Sequence, residues 1–141
     1  MDFARSIFLI PLLIVLLTTD NQRCNAMDDA IKEMIQSLHD ACVEDTGVDE
    51  SLIAAANNPG PLPDNQLLKC YMKCLMEEIG VLEGTTFDSE AFLDMLPDSM
   101  KTDVEPAIHN CKDTTGSDGC DLGYNLNACF KNFDPAHYML F

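Results

Sequence analysis

The stretch PDNQLLKCYMKCLMEEIGVL, residues 63–82, predicts one long helix around which the rest of the chain is arranged. Asp64 is a suitable N-cap for it. Apolar residues recur along it at helical spacing: Leu67, Leu68, Tyr71, Met72, Leu75, Met76, Ile79 and Leu82. Only a narrow edge carries charged side chains. A helix with so broad an apolar surface is expected to lie between other elements of the fold.

Cys70 and Cys74 stand one turn apart in the middle of this predicted helix. Helical geometry places their Cβ atoms roughly 5–6 Å apart, whereas a disulfide needs about 3.5–4.5 Å. The two cysteines therefore cannot easily bond each other. If both are oxidised, each must reach a different segment of the chain.

Residues 1–26 have the pattern of a secretory signal peptide and are predicted not to belong to the fold. Arg5 precedes the apolar run Ile7–Leu17, and Cys24 and Ala26 are small residues at the −3 and −1 positions of a cleavage site. The run is shorter than the roughly 20 residues that span a bilayer. We therefore expect a secreted, extracellular domain over residues 27–141, without stable membrane insertion.

Removal of Cys24 with the signal peptide leaves an even set of six cysteines: Cys42, Cys70, Cys74, Cys111, Cys120 and Cys129. Three disulfides are expected, and six cysteines permit 15 pairings. A bond between Cys70 and Cys74 is disfavoured, and so is one between Cys120 and Cys129, which are about 13 Å apart in a helix. Ten pairings remain open. A metal site is the less favoured alternative, because no histidine lies at ligand spacing, and no cofactor is predicted.

The acidic composition limits the partners. Eight Lys and Arg residues oppose 24 Asp and Glu, and the formal net charge of −16 lies entirely within residues 27–141. Such a surface repels phosphate backbones and anionic membranes. We expect no nucleic-acid partner.

The remaining patterns predict helices only. They place helices at Met27–Cys42 and Leu52–Ala56, around Ala91–Leu96, from Asp98 towards Cys111 and at Cys120–Lys131. Pro106 is expected to kink or divide its helix near Asp103, and Gly123 to weaken the last one. Strand signals are nearly absent. The fold class is therefore all-α, with about six helices.

The cysteine pattern C-x27-C-x3-C-x36-C-x8-C-x8-C resembles that of the insect odorant-binding proteins, including their pheromone-binding and general odorant-binding branches. The resemblance covers residues 27–141. It implies six helices around an internal apolar cavity. It also implies three interlocked disulfides, Cys42–Cys74, Cys70–Cys120 and Cys111–Cys129, which are one of the ten pairings left open above.

The same resemblance implies a carrier that moves a small hydrophobic ligand, an odorant or pheromone, through sensillar lymph to a membrane receptor. A carrier of hormones, fatty acids or other lipids outside olfaction is the alternative. Whether the carrier forms a homodimer is left open.

Candidates for ligand contact are the apolar and aromatic residues on inward-facing helix stripes and in the tail. Methionine suits such a role because it adapts to varied partners, although a pocket wall and a solid core look alike in sequence. The candidates are Met34, Leu38, Leu52, Leu68, Met72, Leu75, Met76, Phe92, Met95, Tyr124, Phe130, Tyr138, Met139, Leu140 and Phe141.

Residues 130–141 form a C-terminal tail that ends in the apolar run Tyr138–Phe141. Exposing such a run costs about 25 cal/mol per Å², so the tail is expected to fold back onto the domain. By resemblance it forms a wall or lid of the pocket; docking on an outer groove or on a dimer partner is the alternative. Protonation of a Phe141 carboxylate and charging of His137 are expected to loosen it in acid.

A catalytic role receives little support. The His39-Asp40 pair near Cys42 is similar to the His-Asp of secreted phospholipases A2, which are small disulfide-rich hydrolases. However, no adjacent cysteine pair and no glycine-rich calcium loop precede His39. We expect His39 to be a solvated residue at the end of the first helix, and we predict no catalytic residues and no enzyme activity.

Overall fold

The structure is a computed structural model that describes residues 29–141 in two compact units, the first ending at Ser37 and the second beginning at Leu38. In the first unit, residues 29–37 are helical and largely exposed. The predicted signal peptide and the predicted helix start at Met27 lie outside the described residues.

The described residues form six helices, as predicted from the sequence. Helix α1 covers residues 29–46, and the others are α2 (Glu50–Ala56), α3 (Gln66–Glu78), α4 (Ser89–Met95), α5 (Asp98–Cys111) and α6 (Gly119–Phe133). The all-α fold class is confirmed. Within residues 29–141, none of these helices combines the length and the apolar character that crossing a membrane requires.

Helix α3 is the long helix of residues 63–82, but both of its ends differ from the prediction. Its N-cap is Asn65, whose Oδ1 accepts hydrogen bonds from the backbone N–H groups of Leu67 and Leu68 at 2.9 and 3.1 Å. Asp64 instead lies 3.0 Å from the Lys69 ammonium. The Asn65 cap provides a hydrogen-bond acceptor for two of the free N–H groups at the helix start, so Asp64 lies outside the helix.

The C-terminal end of α3 comes before Leu82 because Gly80 reverses the chain. Gly80 adopts a left-handed φ of +77°, and the N–H groups of Gly80 and Val81 donate to the carbonyls of Glu77 and Met76. This is the pairing of a Schellman motif, which closes a helix. Leu82 is therefore not helical.

A small hairpin follows, although strands were not predicted. Strand β1 (Leu82–Glu83) pairs antiparallel with β2 (Thr86–Phe87), with Leu82 opposite Phe87. Leu82 remains buried. The apolar pattern predicted as one long helix thus belongs to a helix followed by a short strand whose first residue is buried.

The other boundaries agree with the sequence to different degrees. Asp49 caps α2 and Asp88 caps α4, each through its side-chain carboxylate. Helix α1 continues past Cys42 to residue 46. Helix α6 begins at Gly119 because Asp118 caps it, and it ends at Phe133. Helix α5 contains Pro106 and is not divided near Asp103, so of the two predicted effects of Pro106 only the kink stays a prediction.

Three interlocked disulfides tie the helices together, and the pairing implied by the resemblance is confirmed. Cys42–Cys74 joins α1 to α3, Cys70–Cys120 joins α3 to α6, and Cys111–Cys129 joins α5 to α6. The Cα–Cα distances are 5.7, 4.4 and 5.8 Å. Closing loops of 18 to 50 residues contributes roughly 3–4 kcal/mol each on the chain-entropy estimate.

The buried apolar side chains other than Ile108 form two clusters. The larger cluster contains Cys42, Val48, Ile53, Ala56, Leu62, Leu68, Tyr71, Met72, Leu75 and Leu140. The smaller cluster contains Met76, Val81, Leu82, Cys111, Leu122 and Leu126. Three phenylalanines pack against the smaller cluster and edge-on to one another, with ring centroids 6.1–6.2 Å apart: Phe87, Phe92 and Phe130.

Helices α3 and α6 pack against each other at Gly123, where the sequence predicted only a weak point. A Cβ atom at Gly123 would lie 2.8 Å from the backbone nitrogen of Lys73 and 2.9 Å from its Cα. Both distances are too short for a carbon atom, and the obstacle is backbone. Glycine at this position therefore permits the close approach of the two helices.

We predict that Gly123→Ala destabilises the protein, although alanine is the better helix former by about 1 kcal/mol. The added methyl group forces α6 away from α3, and overpacking of this kind costs about 1–3 kcal/mol. Denaturant unfolding with the disulfides intact measures the change. Asn132→Ala, at an exposed site on the same helix, is the control and is expected to change the free energy of unfolding little. Equal stability of Gly123→Ala and the parent protein would contradict the role assigned to Gly123.

Candidate functional site

The C-terminal tail docks on the larger cluster. Leu140 is 5% exposed and belongs to the cluster, and the half-buried Tyr138 and Phe141 pack against it. Met139, between them, is 73% exposed. The alternation of inward and outward side chains is that of an extended segment lying along a surface.

Asn57, the residue that ends α2, holds the backbone of the tail. Its side-chain amide donates to the carbonyl of Leu140, and its Oδ1 accepts from the Leu140 N–H, both at 2.7 Å. The amide thus pairs with both polar groups of one residue, as a neighbouring strand would. A backbone segment that enters an apolar surface needs such partners for its N–H and C=O groups.

Lys131 anchors the same region from α6. Its ammonium, on a side chain that is 6% exposed, donates to the carbonyls of Ala56 and Asn58 at 2.6 and 2.7 Å. It also lies 5.7 Å from the ring centroid of Tyr138, a distance that favours attraction between a cation and an aromatic face. A cation at the carbonyl end of α2 also matches the dipole of that helix. Lys131 therefore joins α2, α6 and the tail.

Tyr71, on α3, is the third contact with the tail. Its hydroxyl donates to the main-chain oxygen of Phe141 and lies 2.8 Å from Nδ1 of His39. The other ring nitrogen of His39 lies 2.9 Å from a carboxylate oxygen of Glu50. Burial, and secondarily the charge of Glu50, raise the pKa of Tyr71, so the hydroxyl keeps its proton at neutral pH.

His39 is therefore not the solvated residue at a helix end that the sequence suggested. Helix α1 continues beyond it, and only 15% of its side chain is exposed. The ring is held edge-on to Tyr71, with centroids 5.9 Å apart. Its partners are 11 and 32 residues away in sequence, so local pattern did not reveal them.

The three tyrosine hydroxyls beside the larger cluster all donate to protein oxygens. Tyr71 donates to Phe141, Tyr124 to the carbonyl of Leu62 at 3.0 Å, and Tyr138 to Oδ1 of Asn127 at 3.0 Å. Within the described residues, no buried side-chain nitrogen or oxygen lacks a hydrogen-bond partner. The polar side chains around the cluster are thus all hydrogen-bonded within the protein.

The predicted ligand-contact residues divide into three groups. Nine belong to or pack against the larger cluster: Leu38, Leu52, Leu68, Met72, Leu75, Tyr124, Tyr138, Leu140 and Phe141. Met76, Phe92 and Phe130 belong to or pack against the smaller cluster. Met34, Met95 and Met139 are exposed by 55, 46 and 73%. The structure thus brings most of the set together next to the tail.

Two open surface cavities lie elsewhere. One, of about 620 Å³, is lined by Asn110, Thr114, Asn125, Ala128, Cys129, Asn132 and Phe133. The other, of about 550 Å³, is lined by Ala41, Asp45, Thr46, Leu67, Cys70, Lys73, Cys74, Glu77, Glu78 and Cys120. Neither contains a predicted ligand-contact residue. Amides, carboxylates and disulfides form much of their walls, so they are poor sites for an apolar molecule.

The sequence did not lead us to predict that Asn57 and Lys131 hold the tail region. Asn57 lies in Asn57-Asn58-Pro59-Gly60-Pro61, which indicates only the end of a helix. Lys131 continues a line of residues at intervals of four along α6, after Gly123 and Asn127. A lysine in register with a packed stripe was the available signal.

Comparison with known proteins identifies the family to which this chain belongs. A sequence profile of the PBP/GOBP family matches residues 24–132. The chain belongs to that family, whose members are carriers of small hydrophobic ligands.

Individual relatives agree with this assignment. General odorant-binding protein 69a of Drosophila melanogaster is 26% identical over 126 residues, which cover 89% of this chain and 84% of the relative. The crystal structure of the medfly odorant-binding protein CcapOBP22/CcapOBP69a superposes with a TM-score of 0.66 at 29% identity, covering 72% of this chain and 88% of that one. The fatty acid binding protein OBP56a from the oral disk of the blowfly Phormia regina gives a TM-score of 0.58 at 27% identity, covering 73 and 90%.

We predict that Lys131→Met destabilises the domain by about 1–3 kcal/mol, because the carbonyls of Ala56 and Asn58 lose their donor while the side-chain volume is kept. Denaturant unfolding measures the loss. Lys112→Met, at an exposed position just after α5, is the matched control and is expected to change stability by less than about 0.5 kcal/mol. Unchanged stability of Lys131→Met would mean that the two carbonyls do not depend on this ammonium.

Proposed function

We propose that this protein is a secreted carrier that binds a small apolar odorant or pheromone against the larger cluster, beneath the tail, and delivers it to a membrane receptor. Membership of a family of hydrophobic-ligand carriers supports the ligand class. The observation on which the site depends is that the tail covers the larger cluster through non-covalent contacts alone. The tail is thus a wall that opens without breaking a disulfide.

In this mechanism, detachment of the tail uncovers the side chains of Leu68, Met72 and Leu75, and the ligand occupies the internal apolar space between them and the returning tail. Burial of about 300 Å² of apolar ligand surface is worth about 7.5 kcal/mol. That free energy corresponds to a dissociation constant near the micromolar range, before the cost of ordering ligand and tail is subtracted. Affinity of this order allows both capture and release.

Secretion and extracellular transport rest on the sequence. The apolar run Ile7–Leu17 followed by a cleavage pattern supports export, and a net charge of −16 keeps a carrier soluble at high concentration. The receptor at the point of delivery follows from the proposed olfactory role. Determination of the mature N-terminus and of the tissue of expression tests these two parts directly.

A second candidate is a carrier of fatty acids, favoured by the likeness to the blowfly fatty acid binding protein. A buried carboxylate requires hydrogen-bond donors. The tyrosine hydroxyls at the larger cluster already donate to protein oxygens, which favours a neutral ligand. A panel of alcohols, aldehydes, methyl esters and fatty acids of equal chain length separates the two candidates, and recovery of intact ester separates a carrier from a hydrolase.

We predict that Met72→Ala and Leu126→Ala both reduce stability, but that only Met72→Ala weakens binding of a fluorescent apolar probe by the folded protein. Both side chains are fully buried; Met72 belongs to the larger cluster and Leu126 to the smaller. Each truncation lowers the free energy of unfolding by roughly 2–5 kcal/mol in a solid core and by less beside a void. Equal probe affinity for the two variants, or a stability loss without a change in affinity for Met72→Ala, would place the ligand elsewhere.

We also predict that a protein ending at Ala136 binds the probe about tenfold more weakly than the full chain, because it lacks the apolar wall formed by Tyr138, Leu140 and Phe141. Asn57→Ala, which removes the clamp on Leu140 without shortening the chain, is expected to act in the same direction. Faster probe dissociation, measured by stopped flow, is the kinetic signature of an opened wall. Parent-like affinity in both variants would exclude the tail from the site.

A further inference from the structure

The surface cavity of about 620 Å³ lies between the end of α5 and the C-terminal part of α6. None of its seven lining residues is charged, although Asp and Glu outnumber Lys and Arg by 24 to 8 in the whole chain. Small-molecule sites in proteins have volumes of about 300–1,000 Å³. The cavity is therefore large enough for a small molecule, and its wall offers no partner to a charged one.

One face of α6 forms a wall of this cavity. Asn125, Cys129 and Asn132 follow one another at intervals of four and three residues, so they lie on the same side of the helix, and Phe133 comes directly after them. The two asparagines are about 10 Å apart along the axis, at 1.5 Å per residue. The ring of Phe133 is 45% exposed. The wall thus combines two amides with an accessible aromatic face.

Asn110, near the end of α5, supplies a third amide from the other side. Its side-chain nitrogen lies 3.6 Å from Sγ of Cys129 and 3.7 Å from Sγ of Cys111. The Cys111–Cys129 disulfide joins the two helices at this point. The walls are therefore held in place before a ligand arrives, which lowers the cost of ordering them on binding.

The three asparagines keep most of their hydrogen-bonding capacity for a ligand. An amide side chain has two donor hydrogens and an oxygen with two acceptor sites. Asn125 donates one hydrogen to the carbonyl of Thr115 at 2.9 Å. Within residues 29–141, none of the three amide oxygens accepts a hydrogen bond from the protein, and Asn132 makes no side-chain hydrogen bond. The cavity therefore presents donors and acceptors side by side.

This combination favours one class of ligand. A carboxylate or phosphate finds no cation in the wall and is repelled by the net charge of −16, and a cation finds no carboxylate. An apolar molecule would remove the amides from water without replacing their hydrogen bonds. Neighbouring hydroxyl groups both donate and accept, as the amides do. The C–H face of a sugar ring also suits an aromatic face, which carries partial negative charge.

We propose that this cavity binds a neutral saccharide, with Asn110, Asn125 and Asn132 bonded to its hydroxyls and Phe133 packed on a sugar ring. A free sugar and the end of a glycan chain present the same hydroxyls, so the chemistry of the site is common to both. A peptide strand fits less well, because it needs an extended groove or a sheet edge. No predicted ligand-contact residue lines the cavity, so the proposal does not depend on the carrier function.

The experiment follows the side-chain amide signals of the three asparagines in ¹⁵N–¹H correlation spectra of the mature protein with its disulfides intact. Maltose, cellobiose and lactose are titrated up to about 100 mM, because an open cavity buries only part of its ligand and binding in the millimolar range is expected. We expect at least one of these disaccharides to shift the three signals in a saturable way. Absence of such shifts with all three disaccharides, or saturable shifts confined to other regions, would overturn the proposal.

Two substitutions test the assigned roles. Asn132→Ala, at an exposed site, is expected to weaken binding about fivefold, the effect of losing about one hydrogen bond. Phe133→Leu keeps an apolar side chain but removes the ring, and a loss of about threefold is expected. Gln66→Ala is the matched control, because Gln66 is an exposed amide beside a disulfide sulfur, 3.5 Å from Sγ of Cys70, and lies outside the cavity. Parent-like affinity in both cavity variants, or an equal loss in Gln66→Ala, would contradict the site.

Three further ligands define its selectivity. Methyl β-glucuronide differs from methyl β-glucoside by one carboxylate and is expected to shift the signals about threefold less at equal concentration; stronger shifts would refute a neutral site. A peptide that carries a neutral glycan is compared with the same peptide without it. Binding of the glycosylated form assigns the site to glycan ends, and binding of the disaccharides alone assigns it to free sugars. Equal binding of the bare peptide would overturn the saccharide proposal.

Discussion

The spacing of Cys70 and Cys74 is the constraint on which the rest of the fold depends. One helical turn is too long a step for a disulfide between them, so α3 is tied to α1 on one side and to α6 on the other. Cys129 on α6 then ties in α5. The close contact of α3 with α6 at Gly123 belongs to the same arrangement, since a side chain there would push apart two helices that a disulfide already joins.

These cross-links also explain how a small domain tolerates a divided interior. The apolar residues of the described part form two clusters rather than one continuous core, and the larger is covered in part by a segment held without covalent bonds. A domain of this size is marginal on hydrophobic burial alone. Constraint of the unfolded chain by three interlocked loops supplies stability that a divided interior provides less well.

Much of the fold was predictable because its signals are local. Asp49 and Asp88 mark helix starts by residue type, and the cysteine spacing led to the correct pairing through resemblance. The end of α3 was missed because apolar residues continue through Leu82 while Gly80 changes the backbone. Most of the candidate ligand residues lie together at the larger cluster, yet the groups that hold the tail there were not foreseen. Asn57 and Lys131 act over sequence separations of 73 to 83 residues, for which local pattern carries no signal.

The position of the tail relative to the disulfides has a thermal consequence. The cross-linked loops extend from Cys42 to Cys129, and the tail that follows α6, residues 134–141, lies outside all of them. A detached tail therefore gains its full backbone entropy, about 1–2 kcal/mol per residue at room temperature, while the cross-linked helices gain much less on unfolding. The entropic advantage of detachment grows with temperature. Warming thus favours detachment of the tail from the larger cluster at temperatures below the melting temperature of the helices.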